Sequence, residues 1–568
     1  MRKKPWAEIA GALVVVAAAL RYWLLYFNRG TNLLDEGSQA AQALRIIHGD
    51  VIYRDFFTVV TPGSYYTVAW LFRIFGTHLM VMRWAVVIMG LGILLATLIA
   101  ARRVVAWPFA AAAALMTTVW GWFLVTPNLY SWEAMLFALM AMVCYLRDLQ
   151  APRRRWLWYA GVATGLSVLV KQNVGAYTAA ALLLTVWLSR AFDLEGDVRG
   201  RVRRSAQLIG GLCLPIVPAV LLLVWSGAGP YLYESWIYYP LRKYPQSFAL
   251  PFPPFYPVLP EFATLRDAIP AMLAGKIAEP AVYEIWIKFV LYLPVVVYPF
   301  ALAALVVLVI QFHRSKNPAL AREGHALLAI SLVGLLTLLQ AWPRADVTHI
   351  LFGMQPGFIL LAYLSFCCWR ALTRLPGPRR IVAAAAVILT LAPEAALLWN
   401  GYKRTDFEYS NYIVALRTDR AAGILADGLE AQRIDKVSRY LVDHTAPDDP
   451  IFVVPWAAGF YFLADRPNPT RTDFMLFEDP ESYPCVLSRL EQRPPKYVIY
   501  GYTWDVDGRH FRDYGRPLDE YIRTRYAIEA GVDGYEVWRR IDDASGATNA
   551  WPGACQPRRP RLRDLWGR

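Results

Sequence analysis

Asp35 and Glu36 are adjacent acids just beyond the first apolar run of the chain, which extends from Trp6 to Phe27. A carboxylate held at a lipid–water boundary can take the proton from a hydroxyl as that hydroxyl attacks. Other polar groups recur at the ends of later apolar runs: Asn128 and Glu133, Lys171 with Gln172 and Asn173, and then Arg344, Asp346 and His349. Lysine and arginine bind phosphate and stabilise the negative charge that grows on it as it leaves. Charge near hydrocarbon is costly, so acids and cations gathered at one membrane face point to a site. Plainer roles stay open for each residue. Glu36 fits the N-terminal dipole of a following helix, Lys171 a snorkelling side chain, Arg344 with Asp346 a local ion pair, and His349 the orienting of a neighbour. Arg54-Asp55 fits a clasp on the first loop, and Tyr65 and Tyr66 fit interfacial anchors.

The elements that must position these groups are membrane spans. The 568 residues are 57% hydrophobic and 18% charged, with mean hydropathy +0.32, whereas soluble chains carry about 25% charge. Apolar runs of spanning length, roughly 20 residues, lie near 7–27, 80–100, 105–125, 131–147, 156–170, 176–190, 206–226, 285–311, 325–341, 350–368 and 380–399. Basic clusters alternate between them: Arg102-Arg103, Arg153 to Arg155, Arg199 to Arg204, Arg314 with Lys316, and Arg374 with Arg379-Arg380. With Arg2-Lys3-Lys4 at the start, this phase keeps the N-terminus cytoplasmic and puts Asp35 and everything after Trp399 outside. The fold class is therefore mainly α, a multi-pass protein of the cell membrane with about 11 spans. The net charge of +14 belongs to that alternation. No basic-aromatic module marks a nucleic acid partner. The first span is too long for a signal-peptide core and lacks a small-residue cleavage site, so its retention is expected.

Two outer loops are long. The first, Asn28 to His78, carries helical spacing over Ser38 to His48, which predicts a helix along the membrane surface. The second, Gly227 to Glu284, is rich in Pro and aromatics, which predicts irregular chain at the interface; it reads equally as a lid or as a loop packed on the bilayer. Residues 1–400 form the membrane domain. Residues 401–541 read as an extracytoplasmic α/β domain, with a helix over Arg433–His444, strands at Ile451–Val454 and Lys496–Tyr500, and a hairpin turning at Val532-Asp533-Gly534. Residues 542–568 read as a disordered tail. Whether Cys485 and Cys555 pair stays open, since an oxidising compartment favours it and a disordered tail around Cys555 does not, while Cys144, Cys213, Cys367 and Cys368 sit in apolar spans.

Asp35-Glu36-Gly37, Ala40 to Gly49, Val51 to Phe56 and Thr61-Pro62-Gly63-Ser64-Tyr65-Tyr66 resemble the first loop of the C-type glycosyltransferase superfamily, in the branch of protein O-mannosyltransferases and aminoarabinose transferases. Gly165 to Gln172 resembles that superfamily's span ending in an outer lysine, and Pro343 to His349 resembles a motif of its bacterial members. The resemblance implies an inverting transferase that moves a sugar from a polyprenyl-phosphate donor to a glycan, lipid or protein acceptor. It makes Asp35 the base and Glu36 its neighbour, as metal ligand or acceptor contact. Lys171 and Arg344 would bind the lipid phosphate, with His349 beside them, and Arg54, Asp55, Tyr65, Asn128, Glu133 and Asp346 would be substrate or loop contacts. The family often has an Asp before span four where this chain offers Asn128 and Glu133, which leaves a divalent metal open. Two other classes compete: a flippase or transporter of lipid-linked sugars, disfavoured by spans nearly free of charge, and a non-catalytic envelope assembly protein.

Overall fold

A computed structural model describes residues 5–120, 129–150, 154–192, 197–252, 254, 280–475, 482–501, 509–532 and 534–541. Asn128, positions 253 and 255–279 of the second long loop, Asp533 at the hairpin turn, Cys555 and the tail from Asp542 lie outside the described residues.

Each expected span falls on a helix: α1 (Pro5–Tyr26), α4 (Leu79–Ala101), α5 (Trp107–Trp120), α6 (Leu129–Gln150), α7 (Arg154–Val170), α8 (Gln172–Leu188), α9 (Val198–Trp225), α10 (Pro280–Ser315), α11 (Pro318–Thr337), α13 (Gln355–Arg374) and α14 (Pro378–Tyr409). Among the described residues nine of these are long and apolar enough to cross a membrane; α5 and α7 are shorter. In hydrocarbon every backbone N–H and C=O must be satisfied within the segment, and a helix does this. The chain is a multi-pass membrane protein.

Close helix contact sets where the site residues fall. A Cβ on Gly161 of α7 would stand 2.3 Å from Leu208 O, and one on Gly211 of α9 would stand 2.4 Å from Trp158 O. Small residues let these backbones touch, which fixes α7 and the Lys171 that follows it. The spans do hold charge, contrary to the sequence reading. Arg83, Glu133, Asp148, His325 and Glu394 are buried in them. Their cost is met locally, because Arg83 pairs with Glu36, Asp148 with Arg204, Glu133 with Thr67, His325 with Tyr145 and Glu394 with Ser365.

The helix of the first loop, α2 (Asp35–Ile47), starts at Asp35 and is not a surface helix. Its residues Glu36, Gly37, Gln39 to Leu44 are buried. One side meets α3 (Gly63–Phe75), the other meets α16 (Gly459–Ala464) of the C-terminal region. Gly37 and Gly459 touch backbone to backbone, since a Cβ on Gly37 would lie 2.5 Å from Gly459 Cα. The second loop is also more regular than its prolines predict. It forms short helices at Gly229–Tyr233 and Tyr244–Phe248 around a π-helical stretch, Glu234–Lys243. Pro230 and Pro245 occupy first-turn positions, where the missing N–H has no intrahelical partner to lose.

Beyond α14 comes a small α/β layer. Four strands, β1 (Ile451–Val454), β2 (Tyr497–Gly501), β3 (Tyr526–Val532) and β4 (Tyr535–Arg540), lie in the order β1-β2-β4-β3. β1 and β2 run parallel and are buried throughout, whereas β4 is antiparallel to both neighbours. Helices α15 (Gly428–His444), α17 (Tyr483–Gln492) and α18 (Arg516–Arg525) accompany the sheet. Cys485 is disulfide-bonded.

Candidate functional site

Asp35 is placed by a local turn. Asn32 Oδ1 accepts from the backbone N–H of Leu34 and Asp35, and Asn32 Nδ2 reaches the Asp35 carboxyl at 3.4 Å. The carboxyl lines a cavity of about 80 Å³ with Gln39, Gln42 and Tyr65 from the first loop and helices, and Asp473 from the C-terminal region. Asp35, Gln39 and Gln42 share one face of α2 because residues four and seven apart on a helix do so.

Lys171 lies in the gap between α7 and α8, buried, and donates to Ser131 Oγ at 3.0 Å and Gln340 Oε1 at 3.4 Å. Its ammonium sits over the rings of Tyr130 and Phe352, each 5.6 Å away. Arg344 Nε donates to Asp346 at 2.7 Å, and Asp346 caps the short helix α12 (Val347–Gly353) by accepting from the His349 backbone and facing its Nδ1 at 2.8 Å. The second long loop is tied to this segment: Leu250 N–H donates to Pro343 O, and Ala345 N–H donates to Leu250 O.

These segments share one electrostatic field. Burial pushes the Asp35 carboxyl above the usual range, against the pull of Asn32, His349 and Arg344. Burial pulls Lys171 down to about 8, opposed by Asp346 and Asp35. Burial also acts to raise Asp346, but His349 and Arg344 outweigh it and hold it at about 2. Asp35, Lys171, Arg344, Asp346 and His349 are thus brought together from three distant stretches of sequence. The arrangement offers a half-buried carboxyl of raised proton affinity in the field of cations.

Other expected residues lie elsewhere. Glu36 points away from the cavity into a bidentate pair with Arg83, at 2.5 and 2.6 Å, and both side chains are buried. Arg83 also donates to the carbonyls of Phe27, Arg29 and Gly30, so the pair clamps the turn that carries Asp35. Arg54 and Asp55 form an exposed bidentate pair, with Arg54 also reaching Ser226 O. Glu133 is buried outside the cavity lining, accepting from Thr67 Oγ1 at 2.8 Å. Tyr65 is no interfacial anchor: it is buried in the cavity wall and bonded to Thr58, while Tyr66 is exposed. Sequence reasoning missed Gln39, Gln42, Ser131, Gln340, Arg83 and Asp473. The helical spacing from Asp35 marks Gln39 and Gln42; nothing in the sequence marks Asp473. Among the described residues no group of three or more His, Cys, Asp or Glu is arranged to hold a metal ion.

No family model matches the sequence, and no curated protein matches it. Solved structures do. The archaeal oligosaccharyltransferase AglB from Archaeoglobus fulgidus, in complex with an inhibitory peptide and a dolichol-phosphate, is 13% identical, with TM-score 0.52 over 95% of this chain and 75% of that one. The chain has the C-type glycosyltransferase fold. ArnT from Cupriavidus metallidurans bound to undecaprenyl phosphate is 17% identical, covering 94% of this chain and 99% of that one, with TM-score 0.46. In this C-type fold the cavity beside Asp35 lies at the end of the bundle where the long loops and the α/β layer meet.

Proposed function

We propose that this protein is an inverting glycosyltransferase that moves a sugar from a polyprenyl-phosphate donor to an acceptor on the outer face of the cell membrane. The observation that carries the reading is the common electrostatic field of Asp35, which lines the cavity, with Lys171, Arg344, Asp346 and His349. The fold shared with AglB, whose structure holds a dolichol-phosphate, supports a lipid-phosphate donor. The N-terminus would be cytoplasmic and the α/β layer outside.

In this mechanism Asp35 takes the proton of the acceptor nucleophile, whose lone pair attacks the anomeric carbon from the side opposite the phosphate. The bond from that carbon to the phosphate oxygen breaks, and its electron pair leaves with the polyprenyl phosphate. Lys171 and Arg344 stabilise the charge of that leaving group. Asp346 holds Arg344 and His349 in place. The burial that raises the Asp35 pKa makes it a better base than an exposed aspartate near neutral pH. The bidentate hold of Arg83 leaves Glu36 a positioning role.

The test is release of polyprenyl phosphate from defined polyprenyl-phosphate sugars by the purified protein, with Asp35→Asn as the decisive variant. Full transfer by a correctly folded Asp35→Asn protein would sink the assignment. Movement of lipid-linked sugar across a bilayer with no glycosidic bond formed would favour a transporter instead.

A further inference from the structure

The end of the bundle away from Asp35 holds a second and larger cavity, of about 470 Å³. Four elements converge on it. The turn after α4 brings Arg102 and Arg103, and the last turns of α6 form one wall. The first turns of α11 bring Arg322 and Glu323, and the end of α13 brings Phe366 and Arg370. The volume lies within the range of built ligand sites, about 300 to 1,000 Å³.

Four guanidinium groups face a single carboxylate in this lining. Two of them have acidic partners: Arg102 pairs with Glu8 at 2.7 Å, and Arg370 pairs with Glu323 at 3.0 Å. Arg103 bonds to the neutral Gln150. Arg322 is exposed and enters no ion pair among the described residues. Burial, with the charges of Arg147 and Arg102, holds Arg103 below the usual arginine range. An anion beside Arg103 would offset that repulsion. The floor is apolar as well as basic, because the Arg370 guanidinium lies 5.5 Å over the Phe366 ring.

Basic residues at span ends are common, and most of them simply face solvent. Arg314 and Lys316, at the same end of the bundle, are exposed and do not line this cavity. The difference is enclosure. We propose that the cavity formed by Arg102, Arg103, Arg322 and Arg370 binds the phosphate of an anionic lipid headgroup. Its place at the ends of four spanning helices sets it at headgroup depth, where basic pockets between helices take such groups.

The full chain, purified and delipidated in a maltoside detergent, would be titrated with phosphatidylglycerol, phosphatidylcholine and inorganic pyrophosphate. Retention is read by native mass spectrometry and stabilisation by thermal shift. Phosphatidylglycerol is expected to bind and raise the Tm, and phosphatidylcholine is not. The pair Arg103→Gln with Arg322→Gln should weaken phosphatidylglycerol binding by about tenfold or more. Arg314→Gln with Lys316→Gln should leave it unchanged. Equal loss in both double variants would overturn the proposal, since diffuse surface charge would then explain the binding. Pyrophosphate binding without phosphatidylglycerol binding would overturn the lipid source. If the first pair fails to fold, Arg322→Gln alone, at an exposed position, should still weaken binding, and no change there would count against the site.

Discussion

The two ends of the helical bundle handle charge in different ways. At the Asp35 end, acids and cations from segments more than a hundred residues apart interlock, and most are buried or half-buried. At the opposite end four arginines face one glutamate in a cavity lining, and they come from one turn and from the ends of spanning helices. The first pattern needs the whole fold to assemble it, and it shifts proton affinities in opposite directions on neighbouring groups. The second follows from the alternation of basic clusters along the chain, and enclosure adds a cavity to it. Opposed shifts on coupled groups are a mark of acid–base chemistry. An excess of positive charge in an enclosed site is a mark of anion binding.

The sharpest way to break this comparison is to remove the one group that the first end cannot replace. Asp35→Asn keeps the shape and the hydrogen-bond reach of the side chain while removing the base. Transfer should fall by about 10² to 10⁴-fold, and retention of the polyprenyl-phosphate sugar should change little. Donor release assayed beside donor binding separates the two effects. A loss of binding that matches the loss of turnover would move Asp35 from chemistry to substrate contact.

Next in size is the Glu36–Arg83 pair, where the effect should appear in stability. Leaving one member of a buried pair without its partner costs about 3 to 5 kcal/mol, so Glu36→Gln should lower the thermal midpoint strongly. A double replacement, Glu36→Leu with Arg83→Met, should recover only part of that loss. The carbonyls of Phe27, Arg29 and Gly30 would still lack the donor that Arg83 supplies. If Glu36→Gln is stable but inactive, Glu36 belongs with the reacting groups and the division drawn above is wrong.

The contrast between these two adjacent acids also measures how far the sequence can be read. The bundle was legible because apolar runs of spanning length and alternating basic clusters are local signals, and all the expected spans fall on helices. The α/β layer was legible from short apolar, β-rich runs such as Ile451–Val454. The direction of each side chain was not. Whether Asp35 or Glu36 faces the cavity depends on the phase of α2, which is set by its packing on α3 and α16. That phase rests on the contact of Gly37 with Gly459, residues far apart in sequence. Arg83 was hidden for a related reason. An arginine inside an apolar run reads as a tolerated exception until its partner, 47 positions away, is known. Asp473 enters the cavity 435 positions beyond Ser38, which it contacts at 3.5 Å, and no local pattern announces such a meeting.

A third experiment turns on the opposed proton affinities. In the free enzyme the base must be ionised and Lys171 must be protonated. Activity should therefore rise with pH as Asp35 loses its proton, at a pH above that of an ordinary carboxyl. It should fall again as Lys171 loses its own near pH 8. The kcat/KM profile reports these free-enzyme groups. Lys171→Arg should keep the acid limb and move the alkaline limb upward, since arginine stays charged. Lys171→Ala should lower kcat/KM by about 10²-fold, in line with the loss of one donor to a developing anion. An alkaline limb unmoved by Lys171→Arg would assign that limb to another group and separate Lys171 from the phosphate.

The smallest expected effect is at Arg54 and Asp55, which the resemblance placed among the substrate or loop contacts. Their pair has good geometry, yet Arg54 is exposed and its third contact is a backbone carbonyl at Ser226. Exposed pairs contribute little to stability, and this one meets no group of the cavity lining. Asp55 has a second task, accepting from the Val51 N–H, so the two positions should not behave alike. Arg54→Ala should leave transfer within about twofold of the parent, while Asp55→Ala should loosen the loop and lower activity through KM more than through kcat. A large drop in kcat for Arg54→Ala would extend the reacting site outward along the first loop. The compact field around Asp35 would then be only part of the machinery at that end of the bundle.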